Sequence, residues 1–283
     1  MKVLKGKTAV ITGAASGFGR ELAQVCAGEG MQVVLADLNA AGLAETARLL
    51  SPFDVQTLEF VCDVTKAEAV EALAEAATRA FGASHLLFNN AGVVTAGPIW
   101  SAPLDDWTWM LGVNLMGVVH GVRSFVPRML AQGGTAHVVN TASLAGLVSP
   151  GGLGVYAASK HAVVALSECL HHDLRAVDSQ IGVSVLCPGF VKTGLVDAEL
   201  HRPTELTTTN PDGKAAMEQT RSAMLAGRLS AKDIARVTLE AVKADRFYVL
   251  PHQKAKSGIE SRMRAILDER SPTNPMSPPK DRP

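Results

Sequence analysis

The chain has no excess of charge: lysine plus arginine number 27, as do aspartate plus glutamate. Its summed charge sets up no field to draw it to nucleic acid or an anionic membrane. It also lacks any apolar run near the about twenty residues that cross a bilayer. The opening MKVLKGKTAVITG runs straight into a glycine turn, without a cleavable signal pattern. Neither a nucleic-acid nor a membrane partner is therefore expected, and the expected location is cytoplasmic. Cysteine is scarce. Cys26, Cys62, Cys169 and Cys187 lie far apart with no Cys-x-x-Cys pair, which reads as buried free thiols in a reducing compartment. The adjacent His171-His172 invites a metal reading, but helix neighbours point about 100° apart. No carboxylate set completes such a site, so no metal is expected. Aromatics are few at 5%, with only two tyrosines, so a tyrosine inside a motif is seldom accidental.

What is present is apolar bulk. Hydrophobic residues make up 47% and the mean hydropathy is +0.15, enough for a large core. Short β-rich runs near 8–12, 32–36, 55–61, 85–88, 136–141, 183–187 and 247–250 alternate with helical patterns near 17–29, 40–50, 66–81, 104–131, 155–177 and 231–243. Strands as uniformly apolar as Val33-Val34-Leu35 are those covered on both faces. The pattern predicts an α/β fold, a Rossmann-type doubly wound parallel sheet of about seven strands with helices on both faces. Residues 1–253 form a single domain on this reading. It includes an excursion at 194–229, placed after the sixth strand where a substrate-covering lid belongs. Residues 254–283 form a C-terminal extension: one amphipathic helix over 254–269, then a poorly ordered tail with five prolines in 271–283.

The first strand ends in Thr12-Gly13-Ala14-Ala15-Ser16-Gly17-Phe18-Gly19, and a helix begins there. Glycines at such a turn let backbone N–H groups approach a pyrophosphate beside the positive end of the helix. The spacing is Gly-x-x-x-Gly-x-Gly, and a glycine-rich turn alone is weak evidence. Asp37 ends the second strand. A carboxylate there accepts from adenosine ribose hydroxyls and repels a 2′-phosphate. No Arg or Lys stands at Ser16, Leu38 or Asn39 to neutralise one, so NAD(H) is expected over NADP(H). Asp63-Val64 and Asn89-Asn90-Ala91-Gly92 stand at the carboxyl ends of the third and fourth strands. There Asp63 suits the adenine amino group, and Ala91-Gly92 leave room for a flat cofactor. Turn chemistry explains Asn-Asn-x-Gly equally well.

Tyr156 and Lys160 stand four residues apart at the start of the helix after the fifth strand, on one helical face. A free phenol near pKa 10 exchanges protons poorly at neutral pH, and a neighbouring ammonium lowers that value. Such a pair suits a general acid/base. Ser143, thirteen residues earlier, ends the fifth strand, where its hydroxyl is placed to donate to a substrate oxygen.

Taken in order, the glycine turn, Asn-Asn-Ala-Gly, Asn114 in Val-Asn-Leu, Ser143, Tyr156-x-x-x-Lys160 and Pro188-Gly189 resemble the short-chain dehydrogenase/reductase family over about residues 5–250. The resemblance implies an NAD(H)-dependent oxidoreductase interconverting a secondary alcohol and its ketone. In that family Asn114 would hold a water next to the lysine as a proton relay. Lys160 would bind the nicotinamide ribose and lower the tyrosine pKa, Ser143 would polarise the carbonyl, and Tyr156 would transfer the proton. Gly13, Ser16, Gly17, Phe18, Gly19, Asp37, Asp63, Val64, Asn90, Ala91 and Gly92 would bind the cofactor, with Pro188, Gly189, Val191 and Thr193 at its nicotinamide end. Homodimers or homotetramers would form through 104–131 and 155–177.

Positions near the nicotinamide would be Val93, Val94, Leu144, Leu153, Phe190 and Leu195, which favour a hydrophobic, bulky or aromatic substrate. The 97–129 stretch and the tail after Pro251 also resemble bacterial members acting on lignin-derived aryl alcohols. Trp100, Trp107 and Trp109 are expected to serve packing or subunit contact. Two other readings stay open: an NADPH-dependent ketone reductase, and a non-catalytic NAD(H)-sensing protein.

Overall fold

The computed structural model describes residues 1–206, 210 and 212–276. Seven strands form one parallel sheet: β1 (Thr8–Thr12), β2 (Gln32–Asp37), β3 (Thr57–Val61), β4 (Leu86–Asn89), β5 (Ala136–Thr141), β6 (Ile181–Leu186) and β7 (Tyr248–Val249). Their spatial order is β3-β2-β1-β4-β5-β6-β7, so the chain reverses direction across the sheet between β1 and β4. Crevices at such a reversal, outside the carboxyl ends of the strands, are where open parallel sheets bind ligands.

Alternation along the strands explains the two covered faces. Ala9 and Ile11 of β1, Val33 and Leu35 of β2, and Leu86 and Phe88 of β4 join one apolar cluster. Val10, Val34 and Leu87 join the other. The first face is covered by α1 (Gly17–Gly28), α2 (Ala40–Leu50) and α8 (Ala231–Lys243), through Leu22, Leu43 and Ile234. The second is covered by α3 (Ala67–Phe81) and α5 (Gly117–Gln132), through Leu73 and Phe125. This is the doubly wound Rossmann-type fold that the run of apolar strands predicts. β1 and β5 keep their expected limits and the other strands shift by at most two residues; β6, for instance, begins at Ile181.

Three elements carry detail beyond the expected pattern. The helix expected over 104–131 is divided: α4 (Leu104–Met110) passes into a π-helical turn, Leu111–Met116, before α5. The 194–229 excursion carries its own helices, a kinked 3₁₀ stretch Gly194–His201 and α7 (Gly213–Leu225). Beyond β7, a 3₁₀ turn Gln253–Ala255 leads into α9 (Lys256–Leu267), which buries only Ala265. Of the proline-rich tail, 277–283 lie outside the described residues, as do 207–209 and 211 of the turn-prone stretch. Cys169, expected to be buried, is exposed on α6 (Gly154–Ala176); the other three cysteines are buried and all four are free.

Candidate active site

A single cleft runs along the carboxyl ends of the central strands, and its lining unites segments scattered from Gly13 to Met224. At one end lies the glycine turn. Gly13 has a φ of +68, and a Cβ on Gly19 would overlap the Gly13 carbonyl, so only glycine lets α1 start this close to the strand. Asp37 braces the turn: Oδ2 accepts from Ala15 N at 3.1 Å and Oδ1 from Asn39 N at 3.0 Å. Asn39, and not Asp37, caps α2, accepting from Gly42 N at 2.9 Å. Two caps would be redundant, so Asp37 also lining the cleft has another use.

The middle of the cleft is tied to β1 by Thr12. Its hydroxyl accepts from Asn90 N (2.9 Å) and Ala91 N (3.1 Å), and Asn90 Nδ2 donates to the Thr12 carbonyl at 2.9 Å. Asp63 Oδ1 accepts from both the N–H and the hydroxyl of Thr65, which fixes the carboxylate at the end of β3.

At the other end, Ser143, Tyr156 and Lys160 converge. The Lys160 ammonium donates to the Thr141 carbonyl at 2.9 Å and stands 5.8 Å from the centre of the Tyr156 ring. Ser143 Oγ accepts from Ala145 N at 3.1 Å and donates to the Pro188 carbonyl at 3.4 Å. Asn114 lies in the π-helical turn. Its Oδ1 accepts from Val93 N (2.9 Å) and its Nδ2 donates to Val93 O (3.0 Å) and Ser159 Oγ (3.1 Å). A Cβ on Gly92 would meet Asn114 Oδ1 at 3.3 Å and Lys160 Nζ at 3.6 Å, so the two groups flank this glycine.

Electrostatically, burial dominates. It pushes the Tyr156 phenol up to about 12, while the Ser143 hydroxyl pulls it back down. The lowering expected from Lys160 is not found; burial acts on the ammonium as well and pushes it down to about 8. A phenol and an amine whose pKa values move toward opposite protonation preferences are a common sign of acid/base assignment.

Of the expected cofactor residues, Gly13, Ser16, Gly17, Phe18, Asp37, Asp63, Val64, Asn90, Ala91, Gly92, Pro188, Gly189, Val191 and Thr193 line the cleft. Gly19 acts one layer behind, through its contact with Gly13. Of the expected substrate positions, Val93 and Leu195 line it. Val94 and Leu153 pack behind the wall in a buried apolar cluster, and Leu144 and Phe190 are not part of the lining. Trp109, expected to serve packing or subunit contact, packs in that same cluster and also borders the cleft; Trp100 is solvent-exposed. Val113, Ala198, His201 and Met224 also line it and were not foreseen. The position of the 194–229 excursion was the available signal for the last three, but which of its residues turn inward depends on the kink at Asp197. Lys160 is the one lysine or arginine among the described lining residues.

A Gly-turn cleft at the sheet's reversal, ending in a Ser-Tyr-Lys cluster, defines a dinucleotide-dependent oxidoreductase of the short-chain type. Comparison with known proteins agrees: a short chain dehydrogenase family profile matches residues 7–203. The crystal structure of a short chain dehydrogenase/reductase from Burkholderia phymatum in complex with NAD is 47% identical, with a TM-score of 0.95, covering 98% of this chain and 100% of that one. A CLA biosynthesis dehydrogenase/reductase of Lactiplantibacillus plantarum is 35% identical over 96% of this chain and 97% of its own length. A C alpha-dehydrogenase of Sphingobium sp. is 32% identical over 96% and 89%. The chain belongs to the short-chain dehydrogenase/reductase family of oxidoreductases.

Proposed function

We propose that the protein is an NAD(H)-dependent dehydrogenase/reductase that interconverts a hydrophobic, ring-bearing secondary alcohol and its ketone, with Tyr156 as general acid/base. The observation that carries this reading is one continuous cleft with Asp37 at one end and Ser143, Tyr156 and Lys160 at the other. The residues present fit a dinucleotide: the cradle has no room for a Cβ at Gly13 or Gly19, Asp37 stands where ribose hydroxyls need an acceptor, and no arginine lines the described cleft to hold a 2′-phosphate. Bound there, a nicotinamide dinucleotide would supply the hydride chemistry at the carbinol carbon.

The chain's own residues do the rest. In reduction, Ser143 Oγ donates a hydrogen bond to the carbonyl oxygen, where negative charge develops. Tyr156, held protonated by burial, delivers its proton to the same oxygen. The resulting phenolate is stabilised by the Lys160 ammonium on the same helix face and is reprotonated by way of Lys160, with Asn114 buried behind the cleft lining across Gly92. Oxidation of the alcohol runs the steps in reverse. The apolar wall of Val93, Trp109, Val113, Leu195, Ala198 and Met224 favours a hydrophobic substrate. The named activities of the Sphingobium and Lactiplantibacillus relatives, both dehydrogenases, support the reaction class. The protein works as a homo-oligomer of the reducing cytoplasm on this reading, in keeping with four free cysteines.

The test is a panel of aryl, alicyclic and aliphatic secondary alcohols and ketones assayed with NAD(H) and NADP(H), following absorbance of the reduced cofactor. Turnover of ring-bearing members with NAD(H) is expected. Turnover confined to NADP(H), or absent from every member, would contradict the proposal.

A further inference from the structure

Residues 194–206 roof the part of the cleft where Leu195, Ala198 and Trp109 meet, and one buried side chain fastens them to the body of the protein. The Arg202 side chain is 8% exposed and its partner Asp106, on α4, 3%. Arg202 Nη2 donates to Asp106 Oδ1 at 2.6 Å and to Glu199 Oε1 at 2.8 Å; Nε donates to Glu199 Oε2 at 2.7 Å, and Nη1 to the Leu206 carbonyl at 3.4 Å. The guanidinium carbon also lies 4.4 Å from the centre of the Trp109 ring. Asp106 and Trp109 are three residues apart on α4, hence on one helix face, so the ion pair and the indole wall are neighbours by construction. A second tie from the same roof, Arg221 to Asp197 at 2.6 Å, is 40% and 47% exposed and screened by water. The buried tie is the one that resists opening, because parting it strands charge in an apolar setting.

We infer that Arg202 is a specificity-determining positioning residue: through Asp106 it holds the 194–206 roof closed, and by stacking it holds Trp109 as a flat wall that selects ring-bearing over short aliphatic substrates. This rests on the oxidoreductase reading for its substrate half, while the latch itself stands on geometry alone. Arg202 touches no reacting atom. Its effect therefore falls on substrate affinity and roof mobility, leaving cofactor binding and the chemical step in place.

The experiment compares Arg202→Met and Arg202→Lys with the unaltered protein in two measurements: KM and kcat for an aryl alkyl ketone and a short aliphatic ketone with NADH, and hydrogen exchange of segment 194–206. For Arg202→Met, KM for the aryl ketone is expected to rise about tenfold or more, with kcat changed by less than about threefold. KM for the aliphatic ketone and the NADH dissociation constant stay within about twofold, and exchange of 194–206 quickens about tenfold while the β1, β4 and β5 amides stay protected. Arg202→Lys keeps the charge but loses the planar fork and falls between; it carries the same measurements if the methionine variant does not fold. Unchanged exchange of 194–206 in a folded variant overturns the latch, and an unchanged ratio of the two KM values overturns the role in selectivity. If the unaltered protein reduces neither ketone, the functional reading fails, while the exchange result still decides the latch.

Discussion

At the scale of single residues, the site is a contest between burial and partners. Tyr156 and Lys160 lie on one helix face because four residues separate them, and that much is legible in the sequence. Their protonation is not, since burial is a tertiary property: it raises the phenol to about 12 and lowers the amine to about 8. On the proposed reading the pair is set for proton donation during reduction, with Ser143 moderating the cost. Asp37 is simpler, because its carboxylate repels a 2′-phosphate through charge alone. Asp37→Asn keeps a side-chain acceptor for the turn and removes the charge. The ratio of kcat/KM with NAD(H) to that with NADP(H) should fall at least about tenfold, about 1.4 kcal/mol. Initial rates with both cofactors check this; an unchanged ratio would take cofactor choice away from Asp37.

At the scale of elements, what could be read followed from periodicity and punctuation. The extents of β1 and β5 and the start of α2 at its Asn39 cap follow from local signals. The π-helical turn could not be foreseen, because 104–131 keeps a helical pattern throughout. Its widened ladder, with Gly117 N bonding to Gly112 O, reflects the placing of Asn114 against Val93 across the fold. The roof was legible as a position and illegible as a wall, since Trp109 and Met224 come together only through tertiary packing. The glycine turn makes the tightest demand. In Gly19→Ala the new methyl meets the Gly13 carbonyl, so α1 must retreat at a cost of about 1–3 kcal/mol. NADH affinity, read by fluorescence titration, should weaken about tenfold or more; wild-type affinity would mean the turn does not cradle the cofactor.

At the scale of the whole molecule, sheet and helices separate function from stability. The carboxyl ends of the strands carry the cleft; the opposite end holds a buried polar group with no part in it. His137 of β5 is fully buried, with Nε2 2.8 Å from Ser184 Oγ. The Ser184 hydroxyl gives its proton to the Arg246 carbonyl at 2.7 Å, so Nε2 is the donor and Nδ1 carries the lone pair. Burial holds the ring neutral and pushes its pKa down to about 4, although Asp245 at 3.7 Å opposes this. The folded protein thus binds fewer protons than the unfolded chain between about pH 6.5 and 4. His137 supplies stability above about 6.5 that is lost as pH falls through 4, at most about 3 kcal/mol. The stability gap between wild type and His137→Asn, from urea unfolding, should narrow over that interval; a constant gap would contradict the assignment.

The central claim is that Tyr156 moves the proton while the rest of the cleft binds the cofactor. The direct measurement is steady-state ketone reduction by Tyr156→Phe alongside NADH titration of the same variant. The phenyl ring keeps the packing and loses only the hydroxyl, so kcat/KM should fall about 10²–10⁴-fold with NADH affinity within about twofold of wild type. A variant that retained more than about a tenth of wild-type kcat/KM would remove Tyr156 from its role.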